Sequence, residues 1–143
     1  MGDKEAAADL INKYVEEIGL TKEQTYNEER KAWYWTKGSA KIEVFIQTIK
    51  VGEGDRSYLR VFSPVMKVPK TSIVAFYRKL LELNDTSLGV KLSIIEGGDQ
   101  VYATYERDIN GMDYGELADT IADVEWWADY LDDELIKQFG GEK

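Results

Sequence analysis

The feature that most constrains the fold is a regular alternation of apolar and polar side chains over residues 41–51. Successive side chains of a β-strand point to opposite faces, so this alternation predicts a strand with two different faces. One face carries Ile42, Val44 and Ile46, and the other carries Glu43, Phe45, Gln47 and Ile49. The turn sequence Gly-Glu-Gly-Asp follows at 52–55 and residues 58–65 return as a strand, which predicts an antiparallel hairpin.

The rest of the chain supplies further elements of one predicted domain, residues 1–143. A second Gly-rich turn at 96–99 joins two more strands, and helical spacing of apolar residues predicts three helices. Residues 20–30 are polar and are predicted to form a loop. The predicted order is α-β-β-β-α-β-β-α, with helices at 3–18, 73–84 and 113–139 and strands at 32–36, 41–51, 58–65, 89–95 and 100–109. This pattern is typical of an α+β domain with a five-stranded antiparallel sheet and three helices.

Composition excludes several classes of function. The 143 residues contain no His and no Cys, which excludes thiolate zinc sites and every mechanism that uses His as the base. The chain has 27 acidic and 18 basic residues, so its net charge of -9 argues against nucleic-acid binding. No apolar run reaches the roughly 20 residues that a membrane helix needs, and no secretory signal is visible. We therefore expect a cytoplasmic protein that binds neither nucleic acid nor membrane.

The acidity is concentrated at the C-terminal end of the sequence. Residues 113–143 contain ten acidic residues against Lys137 and Lys143, a net charge of -8. A helical projection gives the predicted last helix an apolar stripe, which is expected to face the core. The members of that stripe are Leu117, Ile121, Val124, Ala128, Leu131, Leu135 and Phe139.

Trp126 falls on the opposite side of this helix, among carboxylates. With Tyr130 one turn further on, it is predicted to anchor another protein or a second subunit. The predicted partner-binding residues of this surface are Trp126, Tyr130, Asp123, Asp129 and Asp133. The alternative is a ring lying flat on the helix or covered by the N-terminal helix, whose apolar residues are Ala6, Leu10, Ile11, Tyr14 and Ile18.

The second face of the predicted sheet is also partly apolar. The side chains expected on this face are Phe45, Ile49, Tyr58, Phe62, Ile95 and Tyr102, of which Phe45, Ile49, Tyr58 and Tyr102 are predicted partner-binding residues. Such a face would bind a peptide or pack against a partner. The alternative is that the N-terminal helix covers it.

Several segments resemble the YbjN-like family, whose members are named as putative bacterial sensory-transduction regulators. These segments are 38–49, 76–84 (FYRKLLELN), 112–117 (MDYGEL), 128–135 (ADYLDDEL) and 139–140, so the likeness covers about residues 30–140. The resemblance implies a fold like that of type III secretion chaperones, a twisted antiparallel sheet with helices that is often dimeric. The resemblance implies that the protein binds other proteins and does not catalyse a reaction. It does not imply a role in a secretion system.

The expected function is a non-enzymatic protein-binding or chaperone-like regulatory module without cofactor, metal or catalytic residue. Two alternatives stay open, a carboxylate-based hydrolase and a cation-binding domain. Residues 106–111 resemble the start of an EF-hand loop, but they open with Glu and the twelfth position is Leu117, so a turn capped by Asp113 is favoured. Two apolar surfaces predict a homodimer through the sheet or the middle helix, with the acidic helix left outward for a basic partner.

Overall fold

The computed structural model of the chain describes residues 2–143. Within these residues the order of elements is α1 (Gly2–Glu17), α2 (Lys22–Thr25), β1 (Tyr26–Asn27), β2 (Ala32–Lys37), β3 (Ala40–Val51), β4 (Gly54–Lys67), α3 (Ile73–Thr86), β5 (Lys91–Ile94), β6 (Gln100–Asp108) and α4 (Tyr114–Phe139). All strand pairs are antiparallel, and the sheet order is β1-β2-β3-β4-β6-β5. The predicted α+β class is confirmed, with one strand and one helix more in the described chain than the sequence predicted.

Both additional elements lie in the segment 20–30 that was predicted to be a loop. α2 is a single turn with a capping box, in which Thr21 Oγ1 accepts from the Gln24 backbone N at 3.1 Å and Gln24 Oε1 accepts from the Thr21 backbone N at 2.9 Å. β1 pairs Tyr26 with Trp33, and the two rings lie 4.6 Å apart. Elements this short contain no apolar period, so a sequence pattern does not reveal them.

The hairpin of β3 and β4 establishes the core. Its register pairs Val51 with Gly54 around a turn in which Gly52 has a φ of 64°, a left-handed conformation that favours glycine. The same register pairs Val44 with Val61, so the alternation predicted from the sequence places apolar side chains of both strands on one face. The buried residues of this face include Ile42, Val44, Leu59 and Val61.

α4 packs across β4 and β6 and closes the core. Its first turn is fixed by a capping box, in which the Asp113 side chain accepts from the Glu116 backbone N at 2.8 Å and the Glu116 side chain accepts from the Asp113 backbone N at 2.9 Å. Gly140 ends the helix with a φ of 73°. The predicted apolar stripe is buried at Leu117, Ile121, Val124, Ala128, Leu131 and Leu135 and half-buried at Phe139.

α1 packs against α4 through a stripe that shares Ile11 and Tyr14 with the apolar positions found in the sequence. Its other buried residues are Ala7 and Val15. Ala6 and Ile18 are exposed. The Tyr14 hydroxyl donates to Glu125 Oε1 of α4 at 2.6 Å, and this contact fixes which face of α1 turns inward.

α3 lies over the β5 end of the sheet. It starts after Ser72, which has a φ of 56° and makes no side-chain capping bond. Phe76 is buried with its ring 5.2 Å from the ring of Phe139 in α4. Asn84 anchors the other end, because its side chain accepts from the Leu92 backbone N at 2.7 Å. α1, α3 and α4 thus pack on one side of the sheet and leave its other face open.

Candidate protein-interaction surfaces

The helix-free face of the sheet carries a row of aromatic side chains. Phe45, Phe62 and Tyr102 project from the neighbouring strands β3, β4 and β6. The ring centroids of Phe45 and Phe62 are 5.6 Å apart, as are those of Phe62 and Tyr102. Phe62 is only 6% exposed, so the row forms a small apolar cluster of its own. The sequence correctly placed these three rings on one face.

Arg60 crosses this aromatic row from β4. Its guanidinium carbon lies 4.6 Å from the ring centroid of Phe62 and 5.9 Å from that of Phe45. Nη1 donates to Gln47 Oε1 at 3.0 Å, and Nη2 lies 3.5 Å from Glu106 Oε2. Nε is buried and has no hydrogen-bond partner within residues 2–143.

Two grooves meet at Arg60. The larger groove has a volume of about 520 Å³, and its lining residues include Phe45, Arg60, Phe62, Lys91, Ile95 and Tyr102. The smaller groove has a volume of about 290 Å³ and is lined by Gln47, Ile49, Tyr58, Arg60 and Glu106. The four predicted residues of this face therefore divide between the grooves, Phe45 and Tyr102 in the larger and Ile49 and Tyr58 in the smaller. Arg60 was not predicted, because a single basic residue in a strand gives no functional signal.

The second surface is an aromatic stack on the solvent side of α4. Trp126 is 59% exposed and Tyr130 is 47% exposed. Their rings are stacked, with centroids 5.3 Å apart and planes 14° apart. Trp127, half-buried at the edge, meets the Trp126 ring edge-on at 5.0 Å. α1 packs elsewhere on α4 and covers neither this stack nor the helix-free face.

The carboxylates around the stack have different environments. Asp129 accepts hydrogen bonds from Ser39 Oγ at 2.6 Å and from the Ser39 backbone N at 2.9 Å, and these bonds lower the pKa of Asp129. Asp132, buried two residues after Tyr130, has Oδ2 at 2.8 Å from Ser39 Oγ and 3.3 Å from Lys143 Nζ. A Cβ on Gly38, whose φ is 60°, would lie 2.8 Å from Asp129 Oδ1, so a larger residue there would displace the Asp129 carboxylate from Ser39.

Asp123 and Asp133 remain exposed beside the aromatic stack. Partial burial raises the pKa of Asp123, and the negative charge of Asp119 raises it further. Asp133 Oδ1 lies 3.8 Å from Lys143 Nζ. Of the three predicted carboxylates, Asp129 is already used to hold the turn between β2 and β3, while Asp123 and Asp133 face solvent.

Glu125, the neighbour of Trp126, is a buried carboxylate that the sequence did not reveal. It accepts from the Tyr14 hydroxyl at 2.6 Å and from Trp35 Nε1 at 2.8 Å. Burial raises the pKa of Tyr14, and the hydrogen bond to Glu125 raises it further, so the phenol stays a donor. Because its partners are 111 and 90 residues away in sequence, no local pattern could identify this network.

A third apolar surface lies on α3 and the turn after it. Val74 is 84% exposed, Leu81 is 71% exposed and Leu88 is 81% exposed, with Tyr77 beside them on the same side of the helix. Val74, Tyr77 and Leu81 repeat at helical spacing and form one stripe along α3, and Leu88 lies in the turn two residues after the helix ends. The sequence could have indicated it, because residues 73–86 contain more apolar positions than a single core stripe needs.

The segment 106–111 does not have the form of a cation-binding loop. Glu106 and Asp108 lie in β6, where Glu106 is bound by Arg60 and Lys91. Asp108 Oδ1 instead accepts from the Asn110 backbone N at 2.9 Å and closes a turn, while Asp113 caps α4. Across residues 2–143, no group of three or more acidic side chains is arranged to hold a metal ion.

The chain is similar to a chain in the crystal structure of the ExsC–ExsE complex, with a TM-score of 0.62 and 15% identity over 90% of this chain and 95% of that one. The predicted secretion-chaperone-like fold is confirmed. An identity this low supports a likeness of fold alone.

The chain belongs to the YbjN family. The family profile, described as "Putative bacterial sensory transduction regulator", matches residues 7–136. The match begins within α1, earlier than the sequence resemblance that started near residue 30. No curated protein sequence matches the chain. None of the helices in the described part of the chain combines the length and the apolar composition needed to cross a membrane.

Proposed function

We propose that this chain is a non-enzymatic protein-binding module of the chaperone or regulatory kind. The observation that carries the proposal is the exposed stack of Trp126 on Tyr130. Large rings of this kind are enriched where one protein anchors another, and they are seldom left in water. Membership of the YbjN family and a fold shared with a chain from a two-protein complex support a binding role.

The chemistry around the stack favours a basic partner. Asp123, Asp133 and Glu134 are exposed near the two rings, and residues 113–143 carry a net charge of -8. A Lys or Arg side chain of a partner would meet ring faces and carboxylates together, which combines cation–π and ionic attraction. The acidic helix would also accelerate the encounter with a positively charged surface at low salt.

We further propose that the chain forms a homodimer through α3. Val74, Leu81 and Leu88 form the most exposed apolar surface of the described chain. The helix itself is neutral, because Arg78 and Lys79 balance Glu82 and Asp85. Pairing of two copies there avoids the repulsion that two helices like α4 would experience.

The sequence also predicts that residues 1–143 form a single domain and that the protein is cytoplasmic, and we keep both as proposals. A binding role needs no catalytic residue or cofactor, and none is proposed.

Site-specific photocrosslinking tests the binding role. A benzophenone amino acid replaces Trp126 and, as a matched control, Gln138, an exposed position of the same helix about three turns away. In the native cells, irradiation is expected to join the chain to a second protein from position 126 and not from position 138. A chain that forms no adduct from position 126, or the same adducts from both positions, contradicts the proposal.

A further inference from the structure

We propose that the helix-free face recognises an extended segment of a partner protein in which an acidic side chain lies between two apolar ones. Arg60 would bind the acidic side chain, and the two grooves beside it would take the apolar ones. This inference rests on the proposed binding function and names the chemistry of one of its partners.

The helix-free face contains buried polar atoms that have no hydrogen-bond partner within the described part of the chain. Five buried side-chain polar atoms in residues 2–143 have no hydrogen-bond partner, and three belong to this face, Arg60 Nε, Thr104 Oγ1 and Glu106 Oε2. A guanidinium has five N–H donors, and Arg60 uses one for a hydrogen bond to Gln47. Unpaired polar groups cost stability, so a ligand that supplies an acceptor to the free N–H groups of Arg60 gains affinity by pairing them.

Arg60 shares the carboxylate of Glu106 with a second cation, Lys91. Glu106 Oε1 is bound by Lys91 Nζ, while Glu106 Oε2 lies 3.5 Å from Arg60 Nη2. Two cations therefore share the Glu106 carboxylate, and Arg60 makes no direct hydrogen bond to it. Glu43, at the rim of the larger groove, balances the second cation and accepts from the Tyr34 hydroxyl at 2.9 Å. A carboxylate from a partner would give Arg60 the directly hydrogen-bonded anion that Glu106 does not supply.

The two grooves lie at regularly spaced positions along β4. Tyr58 of the smaller groove, Arg60 between them and Phe62 of the larger groove alternate along β4. Side chains on one face of a strand are separated by roughly 6.6–6.8 Å, so the two groove positions lie about 13 Å apart. An extended segment running along β4 has the same repeat. It would place an apolar side chain in each groove at positions i and i+4 and the acidic side chain over Arg60 at i+2.

Fluorescence anisotropy with defined peptides tests this recognition. The probe is a labelled 11-residue peptide, Gly-Ser-Thr-Leu-Thr-Glu-Thr-Leu-Thr-Ser-Gly, compared with peptides in which Gln or Lys replaces the central Glu. We expect the Glu peptide to bind the wild-type chain, and its affinity to fall about tenfold or more with the Gln peptide or with Arg60→Met. Arg78→Met, which removes an exposed Arg of α3, is the matched control and should change nothing.

Arg60→Glu adds a charge-reversal test, because this variant should prefer the Lys peptide. Circular dichroism confirms that each variant is folded. Equal binding of the three peptides, equal binding by Arg60→Met and wild type, or no binding at about 1 mM peptide would overturn the inference. If Trp126→Ala abolishes peptide binding while Arg60→Met does not, the peptide binds at α4. That result overturns the inference and leaves the proposed function standing.

Discussion

At the scale of single residues, Glu125 of α4 connects α1 to the rest of the molecule. Its two oxygens accept from a phenol of α1 and an indole of β2, and no cation lies among these partners. Burying a carboxylate in this way is costly unless each oxygen is hydrogen-bonded. The network therefore acts by specifying how α1 docks, since another orientation of α1 would leave Glu125 Oε1 unpaired.

Replacement of Glu125 separates the role of its hydrogen bonds from the role of its charge. Glu125→Leu leaves Tyr14 and Trp35 without an acceptor and is expected to lower the free energy of unfolding by about 2 kcal/mol or more. Glu125→Gln is expected to cost about 1 kcal/mol or less, because the amide oxygen accepts from the indole while its N–H donates to the phenol oxygen. Urea unfolding measures both. Glu134→Leu, at an exposed site, is the control, and equal losses for Gln and Leu would refute this explanation.

Ser39 governs the ionisation of Asp129. The serine hydroxyl has one hydrogen for two nearby carboxylates, and its bond to Asp129 is the main cause of the lowered pKa of that residue. Because the native pKa is lowered, the stability that Asp129 contributes is present at neutral pH and is lost as the pH falls through the native value.

Ser39→Ala is therefore expected to raise the pKa of Asp129 part of the way to its usual value, since the backbone hydrogen bond remains. A carboxyl-carbon NMR titration measures the pKa. Ser57→Ala, which removes a hydroxyl bonded to Thr48 at 2.8 Å, is the control and should leave Asp129 unchanged. An unchanged Asp129 titration in Ser39→Ala would show that the hydroxyl is not the cause.

At the scale of elements, long periodic segments were predictable and their docking was not. The stripe of α4 and the alternation of β3 follow from repeats of 3.6 and 2 residues, which the sequence shows directly. α1 has a wider apolar side than it buries, and the contact of Tyr14 with Glu125 decided which residues turned inward. In β4, a register shift between Pro64 and Met66 places Val65 and Met66 together in the core, which strict alternation does not anticipate.

The exposed stripe of α3 gives a prediction about association. Leu81→Asp is expected to convert a homodimer into a monomer of 16.3 kDa, because a buried unpaired carboxylate opposes pairing of two such helices. Ile95→Asp places the same charge at an exposed position outside α3 and should leave the dimer intact. Sedimentation at micromolar concentration measures both. A monomeric wild-type chain would refute the dimer, and dissociation by Ile95→Asp alone would move the interface away from α3.

At the scale of the whole molecule, the sequence indicated the fold class and two of the three exposed surfaces. Trp126 on the side of α4 away from its core stripe and Phe45 on the second face of β3 follow from periodicity alone. The contacts of Arg60 with Glu106, of Ser39 with Asp129 and of Tyr14 with Glu125 join side chains far apart in sequence. Those contacts form only through tertiary packing, so no local sequence pattern predicts them.

The central claim is that the chain acts by binding another protein through the surface around Trp126. The most direct measurement is quantitative affinity capture from native cell extract with the wild-type chain, Trp126→Ala and the exposed control Gln138→Ala, at about 0.05 M and about 0.5 M salt. We expect at least one protein to be retained by the wild type and by the control, to be depleted severalfold with Trp126→Ala, and to be released at high salt. Retention of the same proteins in the same amounts by all three chains would contradict it.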